Sequence, residues 1–217
     1  MTQEELFQKC DFEILTDHTF AVSENFSCGN SEGEQDLNDF FENDALSYQK
    51  RLLGRTYLFT LKNAANKSGT KGEKEIVTFF TVSNDSIRIT NKFAEDYKQQ
   101  FLEETDLRDK SIKRFPGVLL GRLGTNEKYA GYGFGSAVMT FIKNTFVTNN
   151  RTGCRFIIVD ALNNEHTLNF YKRNDFKFLI DDERLEAKYV GIGVGRLPLN
   201  TRLMYFDLLS LKVDEEE

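Results

Sequence analysis

Cysteine, histidine and proline are scarce in this chain of 217 residues, which holds three cysteines, two histidines and two prolines. Cys10, Cys28 and Cys154 are odd in number and lack C-x-x-C spacing, which argues against a disulfide framework. With only His18 and His166 beside them, a His/Cys metal site is disfavoured as well, and no metal is expected. No apolar run approaches the roughly 18 residues of a membrane span. The N-terminus, MTQEELFQKCDFE, has neither the basic start nor the apolar centre of a signal peptide, so a cytoplasmic protein without membrane contact is expected. Repeats, proline-rich linkers and composition shifts are all missing, which predicts one domain over 1–217. A net charge of −6 gives no general attraction to nucleic acid or anionic membranes. Part of that acidity lies in VDEEE (213–217), whose self-repulsion predicts a frayed end.

What the chain does have is apolar bulk: 40% of its residues are hydrophobic and 20 are phenylalanine, ample for a packed core. In EGEQDLNDFFENDALSYQKR, Leu37, Phe40, Phe41, Ala45 and Tyr48 recur at helical spacing, predicting an amphipathic helix over 36–51. RTYLFTL (55–61) and KEIVTFFTV (74–82) are β-branched and aromatic and flank the turn-like NAANKSGTKGE, which predicts a hairpin with a long loop. Phe93, Tyr97 and Phe101 predict a second helix, after which Pro116 and Gly117 should break the chain before a strand at VLLGRL (118–123). A helix from 136 to about 149 follows. Then come a doubly covered strand in CRFIIVDAL (154–162), a short helix in NNEHTLNFYKRN, and strands at FKFLI and RLMYFDLLSL (202–211). That succession predicts a mixed sheet with helices on its faces.

Ahead of the 136–149 helix lies KYAGYGFG, with Gly131, Gly133 and Gly135 two apart. Such glycines admit positive φ and bring N–H groups close to a ligand, and the helix N-terminus behind them attracts anions. Phosphate is the ligand class this predicts. A dinucleotide fold would set its first glycine directly at the strand end in G-x-G-x-x-G, but GTNEKYA intervenes. A P-loop would end in G-K-[ST], but Ser136 and Ala137 follow Gly135. GIGVG (191–195) has the same composition yet leads to Pro198 and a strand, so it reads as a connector.

Two motifs together resemble the GNAT superfamily of acetyl-CoA-dependent N-acetyltransferases. The phosphate motif [QR]-x-x-G-x-[GA] aligns onto Ala130, Gly131, Tyr132, Gly133, Phe134 and Gly135, with Ala130 in place of glutamine or arginine. N-x-x-A-x-x-[FL]-Y-x-x-x-G-F matches Asn164, Phe170, Tyr171 and Phe176, with Thr167 for alanine and Asp175 for glycine. FSCGNSEGEQDLNDFF and GRLGTNEKYAGYGFG further resemble the branch that includes toxins acting on aminoacyl-tRNA, from which the inserted EGEQ, the loop near 181–200 and the acidic total depart.

The resemblance implies an α+β fold with a central mixed sheet of about seven strands and helices on both faces. It implies acetyl-CoA as cosubstrate, its pyrophosphate held by residues 130–135 with Ser136 at the helix start, and its pantetheine and acetyl group by the main chain of Leu123 and Gly124. Asn164 would touch the pantetheine arm and Tyr171 would protonate the sulfur. No acid in VLLGRL suits a general base, which leaves that work to water or an amine already neutral. Lys172 and Arg173 either meet the ribose phosphate or are exposed helix charges; His166 reads as a surface residue and Cys154 as a buried apolar one. The expected reaction is transfer to the amine of a small molecule or protein. The alternatives are acetylation of aminoacyl-tRNA, with a tRNA and an antitoxin as partners, and a non-catalytic module that binds coenzyme A. A homodimer is the assembly the resemblance allows, and the acceptor groove falls to the irregular segments 24–55 and 181–201.

Overall fold

The computed structural model of the chain describes residues 1–20, 26–62, 75–89, 95–105, 113–148 and 150–213. The loop expected at NAANKSGTKGE, Phe93 and the acidic end 214–217 lie outside the described residues. The strands are β1 (Cys10–Ile14), β2 (Arg55–Leu61), β3 (Ile76–Arg88), β4 (Arg114–Thr125), β5 (Phe156–Leu162), β6 (Lys177–Phe178) and β7 (Thr201–Asp207). They form one mixed seven-stranded sheet, as the resemblance implied, and its order is β1-β2-β3-β4-β5-β7-β6. The helices are α1 (Gln3–Lys9), α2 (Asp17–Phe20), α3 (Glu32–Asp39), α4 (Ala45–Lys50), α5 (Glu95–Glu104), α6 (Phe134–Thr148), α7 (Glu165–Arg173), α8 (Glu183–Val190) and α9 (Ser210–Val213). Among the described residues, no helix is long and apolar enough to cross a membrane. Two compact units make up the chain, Met1–Ser83 with Leu120–Ile142, and Asn84–Leu119 with Lys143–Glu217.

In the first unit β1, β2 and the start of β3 pair antiparallel, Cys10 facing Leu61 and Arg55 facing Val82. Strand alternation sends Phe12 and Phe59 to one face, where they meet Phe7 of α1 and Phe141 of α6 at ring-centroid distances of 4.8–5.9 Å. Leu58 and Phe79 point the other way, into a cluster with Phe40, Phe41 and Ala45. Each such buried ring contributes about 1.5–3 kcal/mol. The helix expected over 36–51 is interrupted, because Phe40–Asp44 forms a π-helical turn in which the Ala45 N–H donates to the Phe40 carbonyl. A regular helix would spread Phe40, Phe41 and Ala45 over a wide arc; the widened turn brings Ala45 back beneath the two rings.

In the second unit β4 pairs parallel with β5 from Gly117–Phe156 to Leu119–Ile158, and β5 pairs antiparallel with β7 from Phe156–Asp207 to Leu162–Thr201. Phe101 of α5, Phe115, Phe156 and Tyr205 fill one face, with Leu185 and Tyr189 of α8 against them. Pro116 and Gly117 do not break the chain: they lie inside β4. The Pro116 carbonyl accepts the Arg155 N–H at 2.9 Å, and a Cβ at Gly117 would stand 2.6 Å from Ile158 Cδ1, so glycine is what lets β5 approach. The strand expected at FKFLI shrinks to Lys177–Phe178. The last strand stops at Asp207, whose carboxylate accepts the Leu209 N–H and whose carbonyl accepts the Ser210 hydroxyl, turning the chain into α9.

The segment 181–201 is also more regular than expected, since α8 occupies it. Asp182 caps its start by accepting from the N–H groups of Arg184 and Leu185, and Gly191 ends it at φ 80°. Glu186, 1% exposed, accepts from Arg202 Nε at 2.7 Å and from the Leu203 N–H at 2.6 Å, while Arg202 Nη2 donates to the carbonyls of Ile180 and Asp181. A buried ion pair with its remaining valences filled ties α8 to β7.

Candidate functional site

In the first unit the candidate site begins on β4, where Leu120–Thr125 runs on past the three pairs made with β5. Leu123 is half-buried there. Gly124 has no room for a side chain: a Cβ would lie 2.5 Å from Phe79 and 2.8 Å from Cys28 Sγ. Its carbonyl accepts the buried Thr78 hydroxyl at 2.7 Å. Beyond it Asn126, 2% exposed, anchors the excursion GTNEKYA: its N–H donates to the Val77 carbonyl, its amide nitrogen to Ile76, and its oxygen accepts the Lys128 N–H. The Tyr129 phenol, raised to about 12 by burial and by its hydrogen bond to Glu75, keeps its proton.

That anchored excursion delivers the glycine loop to the start of α6. Gly131 and Gly133 hold φ of 80° and 82°, where a side chain would be strained. Gly135 lies in the first turn of the helix instead, so the loop is shorter than the motif. The helical ladder opens with Ala137 donating to Gly133. Among the described residues, the N–H groups of Gly131, Gly133, Phe134 and Gly135 donate to no protein acceptor. Ala130, Tyr132 and Ser136 are exposed around them, and no acidic residue occupies the first turn of α6. Four N–H groups without a protein acceptor thus stand at or just before the positive end of a 15-residue helix, where negative charge is favoured.

In the second unit, α7 carries the other motif. Asn164 is its N-cap, the side-chain oxygen accepting the Thr167 N–H at 2.9 Å, while its amide nitrogen donates to no acceptor among the described residues. Tyr171 is 9% exposed, with its ring edge-on to Phe170 and Phe176 at 5.3 Å. Burial alone raises its pKa above the ordinary tyrosine range. Its carbonyl accepts the N–H groups of Asn174 and Phe176, and Asp175 ends the helix at φ 61°, a conformation aspartate tolerates in place of glycine. Lys172 lies over the Phe178 ring at 4.9 Å, and Arg173 Nε donates to the Asn169 carbonyl. His166 is exposed and Cys154 buried.

Leu123, Gly124 and residues 130–136 belong to the first unit, and Asn164 and Tyr171 to the second. Sequence reasoning passed over Lys143, a buried lysine on α6 whose signal was a charge on the apolar stripe, four residues after Met139. Burial pushes the Cys10 thiol up to about 11 and that of Cys28 to about 12, so neither is a nucleophile at neutral pH. Among the described residues, no group of three or more His, Cys, Asp or Glu is placed to hold a metal ion.

No protein-family profile and no curated protein matches the chain by sequence. Solved structures match it by shape. A tyrosine-to-phenylalanine mutant of KacT has a TM-score of 0.67 at 18% identity, covering 95% of this chain and 99% of that one. AtaT complexed with acetyl-methionyl-tRNAfMet gives 0.66 at 19% identity with the same coverage, and AtaTR bound with AcCoA gives 0.65 at 18%, covering 96% of this chain and 99% of that one. At such identities the likeness is one of fold, and over at least 95% of its length this chain has the fold of KacT and AtaT.

Proposed function

We propose that the chain is an acetyl-CoA-dependent N-acetyltransferase, a single catalytic domain working in the cytoplasm. The observation that carries this reading is the set of four unpaired N–H groups at Gly131, Gly133, Phe134 and Gly135 ahead of α6, which suits the pyrophosphate of coenzyme A. The structure of AtaTR bound with AcCoA, on the same fold, supports the ligand. The main chain at Leu123 and Gly124 holds the pantetheine and acetyl group, and the free amide nitrogen of Asn164 bonds the pantetheine arm. The acceptor nitrogen attacks the thioester carbon, the C–S bond breaks, Tyr171 gives its proton to the departing sulfur, and the nitrogen loses a proton to water.

The acceptor we favour is a small-molecule or protein amine, because three of the basic residues that could meet a polyanion are paired with carboxylates. Lys50 pairs with Asp17 at 2.6 Å, Lys128 with Glu75 at 2.8 Å, and Arg122 with Asp36 at 3.5 Å. The first turn of α3 adds Glu32 and Glu34. Acetylation of aminoacyl-tRNA is the second reading, favoured by AtaT complexed with acetyl-methionyl-tRNAfMet; the AtaT mutant toxin bound to the C-terminus of the antitoxin AtaR adds an antitoxin to it. Labelled acetyl-CoA offered to total charged tRNA, and separately to polyamines, amino acids and peptides, tests both. Label in the amine panel supports the favoured acceptor; label in charged tRNA alone, weakened steeply by salt, replaces it with the second. Calorimetry without any heat of acetyl-CoA binding would remove the enzyme reading altogether.

A further inference from the structure

Lys143 sits where a lysine is costly. It follows the buried Ile142 on α6 and is itself 6% exposed. Its ammonium donates to the Asn174 carbonyl at 2.6 Å and to the Asp175 carboxylate at 3.3 Å, and it stands 3.8 Å from the centre of the Phe206 ring and 5.7 Å from that of Phe176. All of these partners belong to, or pack on, the C-terminal end of α7. A cation there complements the negative end of the helix and gives the Asn174 carbonyl a charged donor. Asp175 stands where the resemblance expects glycine, at φ 61°, and its carboxylate gives Lys143 a second partner.

The same turn carries Tyr171. Its carbonyl accepts from Asn174 and Phe176 at 3.0 Å, its ring rests on Phe176, and Phe176 rests on Phe206 at 5.8 Å. Ammonium, helix end and rings form one connected group with the phenol as a member. We propose that Lys143 is a positioning residue for Tyr171, its ammonium holding the last turn of α7 so that the phenol meets the leaving sulfur. This rests on the reading of Tyr171 as proton donor. Displacing a reacting group by a fraction of an ångström to an ångström is enough to cost a large part of a rate.

The test is a double-mutant cycle, with thiol release from acetyl-CoA as the readout and, as acceptor, whichever of charged tRNA and the amine panel takes label in the assay above. Lys143→Met keeps the methylene stem between the rings and removes only the charge, so the protein should stay folded, with its melting temperature within a few degrees of the parent. We expect kcat to fall about ten- to a hundredfold with KM for acetyl-CoA within about threefold. In the Tyr171→Phe background the same substitution should change kcat by less than about threefold, because the group it positions is gone. Lys143→Arg, which keeps the charge, should recover part of the loss. An equal fall in both backgrounds would make Lys143 a structural residue and overturn the proposal. So would an unchanged kcat for Lys143→Met where Tyr171→Phe is impaired, and that pattern would leave the proton-donor reading standing. Full activity of Tyr171→Phe would overturn both.

Discussion

A phenol already keeps its proton at neutral pH, and burial at Tyr171 makes the anion harder still to form. A phenol so placed can protonate the sulfur only late in C–S cleavage, as the leaving group gains the basicity of a thiolate. Tyr171→Phe should therefore lower kcat on the order of 10²-fold with little change in acetyl-CoA affinity, read by thiol release and by calorimetry. The raised pKa has a further consequence for the wild-type pH profile. Turnover should show no loss of the acid as pH rises to about 10, the ordinary tyrosine value, because the folded-state phenol titrates above it. Unchanged turnover in Tyr171→Phe would mean that the sulfur takes its proton from water. Tyr171 was singled out in the sequence through its motif, but its burial was not, since that depends on what packs around α7.

Elements that follow local pattern were readable, and those decided by packing were not. The hairpin strand 55–61 has the bounds its β-branched and aromatic run predicts, and α6 begins two residues from the expected start. The π-helical turn at Phe40–Asp44 escaped because a 3.6-residue period cannot register an extra residue per turn. Pro116 and Gly117 misled because β4 tolerates a missing N–H at Pro116 and demands a missing Cβ at Gly117, beside Ile158. The cap signals of α8, Asp182 and Gly191, were present but hidden inside a charged stretch. For the loop before α6, a Cβ at Gly131 meets no atom within 4 Å, and its positive φ is what resists the side chain of Gly131→Val. It should leave the protein folded while turning the N–H away, and acetyl-CoA at a hundredfold excess over the parent's Kd, which adds about 2.7 kcal/mol to the parent, should no longer shift its melting temperature. A melting shift equal to the parent's would remove the loop from the site. For α8, Glu186→Ala leaves Arg202 buried without its carboxylate, and chemical denaturation should show a loss of about 3–5 kcal/mol.

At the scale of the whole molecule, stability should decline on acidification for a reason visible at its surface. Hydrogen bonds from Lys177 and then Gln100 hold the Glu104 carboxyl below its ordinary value of 4.5, and one from Lys128 does the same for Glu75. A depressed folded pKa means that the unfolded chain binds the proton more readily, so this stabilisation is present above 4.5 and is lost as pH falls through the lower folded values. Both carboxylates are partly exposed, which limits each pair to about 0.2–1 kcal/mol. Melting curves between about pH 6 and about pH 3 should show a shallower decline for Glu104→Gln than for the parent; an identical slope would assign the acid sensitivity elsewhere. The strand order carries a different consequence, one that concerns how the chain is made. β7 lies between β5 and β6 although it is the last strand in the chain. On the ribosome, β5 waits with the edge opposite β4 open along Phe156–Leu162, and β6 has no neighbour to join, until Thr201–Asp207 has been synthesised. A chain cut after Asn200 should therefore lose two strands rather than one and aggregate through the bare edge of β5.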